Sequence, residues 1–123
     1  CRHLVSFMKT KGNGDIIIMG SEASIVGKKK ASLYSAAKFG LRGFAQSLRD
    51  ECGNTGVRVC LINPGFVRTP FFDTLNFKPG EDGNNAIEPG DIAKIVCDII
   101  ETRKGTNIDE INVSPASKSI IFK

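Results

Sequence analysis

Tyr34 and Lys38 lie four positions apart in the stretch SLYSAAKFG, residues 32–40. On an α-helix that spacing puts them on one face, one turn apart. A free tyrosine has a pKa of about 10 and is a poor base at neutral pH. A neighbouring ammonium favours the phenolate, so such a pair makes a proton carrier that can protonate an alkoxide or accept a proton from an alcohol. Ser21 directly follows the apolar run DIIIMG at 15–20 and offers a hydroxyl to hold a substrate oxygen as charge develops on it. Tyr-x-x-x-Lys by itself is a weak signal, since many surface helices carry it by chance. Its weight depends on the elements around it.

Those elements alternate. Leu4, Val5 and Met8 have helical spacing, and Gly12-Asn13-Gly14 ends that helix. Residues 15–20, rich in β-branched side chains, predict a buried strand. Residues 21–30 form a loop. From Ser32, a plausible N-cap, to about Cys52, the apolar residues Leu33, Ala36, Ala37, Gly40, Leu41, Phe44, Ala45 and Leu48 recur at helical steps. VRVCLIN at 57–63 predicts a second buried strand, broken by Pro64-Gly65. Residues 66–88 carry Phe71, Phe72, Phe77, Pro79, Gly80 and Gly83 and predict a long irregular lid with exposed aromatics. A helix over 88–104, with proline near its start, and a third strand at 108–113 complete the order.

Buried strands alternating with helices indicate an α/β fold around a parallel sheet, here three strands with flanking helices. The first strand would be a bare edge unless an upstream segment pairs with it. The chain also does not begin with methionine. Both features lead us to expect a piece of a longer protein, residues 1–123 being one part of a single domain. Ligands of such sheets bind beyond the carboxyl ends of the strands, and Ser21, Asn63-Pro64-Gly65 and the first turns of the Tyr34 helix all fall there.

Composition narrows the classes. The 123 residues are 41% hydrophobic and 24% charged, an ordinary globular balance. No run approaches the roughly 20 apolar residues that cross a bilayer, and no secretory leader is visible. The net charge of +4 has one dense run, Lys28-Lys29-Lys30. With no interleaved aromatics it reads as a solvated loop rather than a nucleic-acid contact. Cys1, Cys52, Cys60 and Cys97 contain no CxxC pair, and His3 is the only histidine, so no metal-ligand spacing is present. Cys60 and Cys97 sit in apolar segments and are expected in the core. A reduced, cytoplasmic protein is the simplest account.

The constellation resembles the short-chain dehydrogenase/reductase family. IIIMGSEAS (16–24) is similar to the family's strand ending in the catalytic serine, YSAAK (34–38) to its Tyr-x-x-x-Lys, and NPGFVRT (63–69) to its Pro-Gly-x-Val-x-Thr. EPGDIAKIV (88–96) resembles the helix after the substrate lid, and INVSP (111–115) the last strand and its exit. The resemblance runs through essentially the whole chain. It implies a Rossmann-like, doubly wound parallel sheet, here its C-terminal half, and an oxidoreductase transferring a hydride between NADP or NAD and a carbonyl or secondary alcohol. Tyr34 would be the general acid/base. Lys38 would assist it and bind the nicotinamide ribose, and Ser21 would orient the substrate carbonyl. Pro64 and Gly65 would line the nicotinamide pocket, Val67 would offer its backbone, and Thr69 would bind the carboxamide or pyrophosphate side. The stretch at 67–82 and the chain end look more like reductases of 3-hydroxy acids, amino-acid-like alcohols or general carbonyls than like steroid enzymes. A homodimer or homotetramer is implied too, with Phe39 and Phe44 on the outer side of the 32–52 helix serving the interface or, for Phe44 especially, facing its own sheet.

The departures are equally specific. The glycine-rich phosphate turn, the residue that chooses NAD or NADP, the Asn-Ala-Gly motif and the catalytic asparagine would all fall upstream of Cys1. The chain resembles the C-terminal, catalytic half alone. Glu22 replaces the small or polar residue common after the serine. Two other readings stand beside the reductase. One is a non-enzymatic fragment that has lost its dinucleotide half. The other is an extended-type epimerase or dehydratase, against which Pro64-Gly65-x-Val67-x-Thr69 and the short segment after residue 115 both argue.

Overall fold

The computed structural model describes residues 2–123. Helix α1 (Arg2–Lys11) leads into strand β1 (Gly14–Met19), helix α2 (Ser32–Cys52) and strand β2 (Val57–Pro64). A short strand β3 (Phe77–Pro79), helix α3 (Pro89–Glu101), β4 (Glu110–Val113) and β5 (Ile120–Phe122) follow. β1, β2 and β4 form a parallel sheet in that order, with β2 in the middle.

The sheet is wound on both faces, and the alternation of side chains along β2 explains how. Val57 and Val59 point to one face, where they pack with Val5 of α1, Leu48 and Cys52 of α2, and Ile16 and Ile18 of β1. Cys60 and Ile62 point to the other, against Ile95, Val96 and Ile99 of α3 and Ile17 of β1. A continuous apolar strand is what burial on both faces requires. Burial also pushes the Cys60 thiol up from its ordinary value. Among the described residues β1 pairs with β2 along one side only, and its isoleucines are half-buried.

Arg58 locks the second face. Its Nε donates to Asp15 Oδ1 at 2.6 Å, and its terminal nitrogens donate to the carbonyls of Ile99, Ile100 and Thr102 at 3.2, 3.1 and 2.8 Å. These are orphan carbonyls at the end of α3, where a cation is favourable. Lys104 pairs with the second Asp15 oxygen at 3.0 Å. α1 stops at Gly12, whose φ of +68° suits glycine.

Several expectations need correction. Ser32 is the first helical residue of α2, not its cap; Ala31 holds that place without a side-chain bond. The buried face of α2 is Ser35, Ala45, Leu48 and Cys52, whereas Leu33 (86% exposed) and Phe44 (45%) face outward. Periodicity finds an apolar stripe but not which edge of it meets the sheet. Leu4 of α1 is exposed for the same reason. Cys60 is buried as its apolar setting indicates, but Cys97 is exposed, against the core placement expected of it. The lid is more ordered than its composition indicates. Phe72 is buried among Phe66, Phe71 and Phe77, with ring centres 5.2–5.9 Å from Phe72, and only Phe71 of the three expected aromatics is exposed. β3 pairs antiparallel with β5, a ribbon too short for alternation to reveal.

Candidate active site

The site grows from the end of β1. Gly20 donates its N–H to the Ile62 carbonyl at 2.8 Å, extending the ladder by one residue before the chain turns. A Cβ on Gly20 would lie 2.3 Å from Asn63 Oδ1 and 2.9 Å from Ser24 Oγ, so the turn needs glycine. Ser21 then caps a short 3-10 turn over Glu22–Ser24. Its Oγ accepts from the Ala23 N–H at 3.1 Å, and its own N–H donates to Ser24 Oγ at 3.0 Å. Because the Ser21 oxygen is an acceptor in this arrangement, its hydroxyl proton stays available to an external oxygen.

α2 crosses toward this turn and is held by cationic side chains. Lys38 Nζ donates to the Met19 carbonyl at 3.3 Å, two residues before Ser21. One turn further along, Arg42 Nε lies 3.0 Å from Glu110 Oε1, and that carboxylate also accepts from Asn63 Nδ2 at 2.6 Å. Arg49 reaches the Val59 carbonyl at 3.1 Å. These contacts fix the register of the helix on the sheet and so the height at which Tyr34 and Lys38 stand. Lys38 Nζ lies 5.7 Å from the centre of the Tyr34 ring. Tyr34, 41% exposed, has its other neighbour in the lid: the Phe71 ring, 6.4 Å away.

After β2, Gly65 N–H donates to the Val113 carbonyl at 2.8 Å, and a Cβ on Gly65 would come to 3.0 Å from Pro115. Val67 forms a parallel bridge with Ile87, in which Phe66 and Arg68 make the two hydrogen bonds. The Val67 N–H therefore points away from Ile87, and it has no partner among the described residues. Thr69 is exposed; its Oγ1 lies 3.4 Å from the Val67 carbonyl. An unengaged backbone donor beside a strand-breaking Pro-Gly is a fitting cradle for a flat ring with a carboxamide. The described residues thus fit the nicotinamide end of a dinucleotide.

Lys38, the β1 end carrying Ser21, Tyr34 and the lid residue Phe71 thus form one connected row, with Pro64, Gly65 and Val67 leaving the same edge of the sheet on the neighbouring strand. A cleft of about 350 Å³ lies between Gly83–Asp91 and Val113–Ala116, and none of Ser21, Tyr34 or Lys38 lines it. Sequence reasoning did not find Phe71 as a neighbour of Tyr34, nor Ser24, Asn63, Arg42 and Glu110 as supports. Only the Ser21–Ser24 pair had a readable signal, the spacing of a capping box. Glu22, noted as a departure, sits in an ionic cluster. Lys118 beside it holds its carboxyl below the usual carboxylate range, and Lys28 adds to this from 3.6 Å.

The sequence profile of a family described as short chain dehydrogenase matches residues 1–79. The chain belongs to the short-chain dehydrogenase/reductase family. An uncharacterised oxidoreductase of Staphylococcus saprophyticus is 32% identical over 108 residues, 88% of this chain and 44% of that protein. A serine dehydrogenase solved in a closed form with NADP+ superposes with a TM-score of 0.78 at 28% identity, over 91% of this chain and 48% of that one. An acetoin dehydrogenase from Salmonella typhimurium gives a TM-score of 0.74 at 25% identity, over 91% and 47%. The chain spans about half the length of these short-chain dehydrogenase relatives, and its three-stranded sheet corresponds to part of a Rossmann-type sheet. No helix among the described residues is long and apolar enough to cross a membrane.

Proposed function

We propose that this chain is the catalytic, C-terminal half of an NADP- or NAD-dependent short-chain oxidoreductase that interconverts a carbonyl and a secondary alcohol. The observation that carries the reading is the row formed by Lys38, Tyr34 and the Met19–Ser21 strand end at the carboxyl edge of a parallel sheet. Tyr34 gives its phenolic proton to the substrate oxygen during reduction and takes one back during oxidation. Ser21 donates a hydrogen bond from its hydroxyl to the same oxygen without giving up the proton, and its own oxygen is kept in place by the Ala23 N–H. Lys38 brings positive charge beside the phenol and reaches toward the nicotinamide ribose. Pro64 and Gly65 would leave room for the ring, the Val67 N–H would be free to meet its carboxamide, and Thr69 would extend that contact. The bound nicotinamide supplies the hydride.

An upstream dinucleotide-binding half completes the domain by pairing with the free side of β1 and supplying the phosphate turn. The NADP+ complex of the serine dehydrogenase relative favours NADP. The names of the serine and acetoin dehydrogenases favour small hydroxy acids and α-hydroxy ketones as substrates. The outward side of α2, with Phe39, Gly40, Gly43 and Phe44, favours pairing of two copies helix to helix. The test takes the full-length protein, titrates NADPH and NADH by nicotinamide fluorescence, and assays oxidation of serine, acetoin and 3-hydroxy acids with NADP+ and NAD+. NADPH binding with turnover of one of these supports the reading; a full-length protein that binds neither nucleotide refutes it.

A further inference from the structure

The chain end and the lid are one unit. β5 pairs with β3 from Phe77↔Phe122 to Pro79↔Ile120. Gly80 N–H donates to the Ser119 carbonyl at 3.0 Å, and Ser117 N–H to the Asn84 carbonyl at 2.9 Å. Lys123 Nζ donates to the Phe72 carbonyl at 2.7 Å. Phe72 in turn packs edge-on to Phe71, the lid residue beside Tyr34. The tail therefore grips the segment over the phenol at several points.

The same tail reaches the serine turn through one side chain. Lys118 hydrogen-bonds Glu22, the residue after Ser21, although the two are far apart in sequence. Ser21 is thus connected to Tyr34 twice, once through Met19 and Lys38, and once through Glu22, Lys118, the tail and the lid. Lys28 also pairs with Glu22 at 3.6 Å, but from the loop that the serine turn itself begins, so it carries no force from the tail.

We propose that Glu22 is a positioning residue that docks the C-terminal tail, and with it the lid, onto the turn carrying Ser21. Its catalytic consequence rests on the role given above to Ser21, but the docking itself does not. The pair is half-exposed, so its contribution is modest and sensitive to salt.

The test is amide hydrogen exchange on the full-length protein without nucleotide or substrate, so it stands whether or not the enzyme reading holds. Glu22→Gln and Lys118→Met should each raise exchange at residues 76–80 and 117–121 about threefold. Added salt should do the same to the parent protein. Lys28→Met should leave these segments unchanged, and the charge-swapped pair Glu22→Lys with Lys118→Glu should restore protection. The β2 amides, at the centre of the sheet, report whether the fold is intact. Unchanged lid and tail exchange in both single variants, equal loss of protection throughout β2, or no rescue by the swapped pair would each overturn the proposal.

Discussion

The ammonium of Lys38 lies 5.7 Å from the centre of the Tyr34 ring and is tied by a 3.3 Å hydrogen bond to the carbonyl of Met19, the last residue of β1. The helix thus delivers the pair to the strand that carries Ser21. Replacing Tyr34 by Phe removes the phenolic hydroxyl and leaves the ring. We expect Tyr34→Phe to lower kcat by about 10²–10⁴-fold with NADPH binding largely retained, read by turnover and nicotinamide fluorescence on the full-length protein. Lys38→Met should weaken nucleotide binding as well. A Tyr34→Phe variant with unchanged kcat would remove Tyr34 from the chemistry.

Gly20→Ala puts a methyl group 2.3 Å from the carboxamide oxygen of Asn63, which is fully buried and cannot retreat. The turn at Ser21 must shift instead. A loss of about 1–3 kcal/mol in stability is expected, as for other overpacked sites, with a larger proportional loss of activity. Chemical denaturation alongside kinetics separates the two.

Arg58 is 8% exposed and bridges Asp15 to the end of α3. Arg58→Met leaves the Asp15 carboxylate with Lys104 alone and frees several helix carbonyls. The expected cost is about 3 kcal/mol, the range for breaking a buried pair from one side. Thermal unfolding of the full-length variant measures it, and a change near zero would mean that water replaces the guanidinium at no cost.

Asp15 gives the same clamp a pH signature. Burial pushes its carboxyl up, but the hydrogen bonds and charges of Arg58 and Lys104 outweigh this and leave it below the ordinary value. Because the folded value is depressed, its stabilisation is fully present above the unfolded value of about 3.9. It is lost as pH falls through the folded value. Asp15→Asn should flatten the acid limb of the stability curve below about pH 4 and leave its slope near neutrality unchanged.

Phe44 is 45% exposed on the outer side of α2. If two copies pair there, Phe44→Lys on both sides places like charges at the contact, and sedimentation should give half the parent mass. An unchanged mass would move the interface elsewhere.

Much of this was legible in the chain. β-branched runs fixed β1 and β2, helical spacing fixed α2 and α3, and Ser21, Tyr34, Lys38 and Pro64-Gly65 carried the family resemblance. Periods of two and 3.6 residues are local properties, so a local pattern can encode them. The contacts that finish the site are not local. The approach of Phe71 to Tyr34, the Arg42–Glu110–Asn63 support and the Lys118–Glu22 link all join residues distant in sequence, and the outward turn of Phe44 is set by packing rather than by its neighbours in the chain. They depend on how far α2 is rotated on the sheet and where the chain end returns. Those choices are settled by competition among whole packed surfaces, which no short stretch of sequence records.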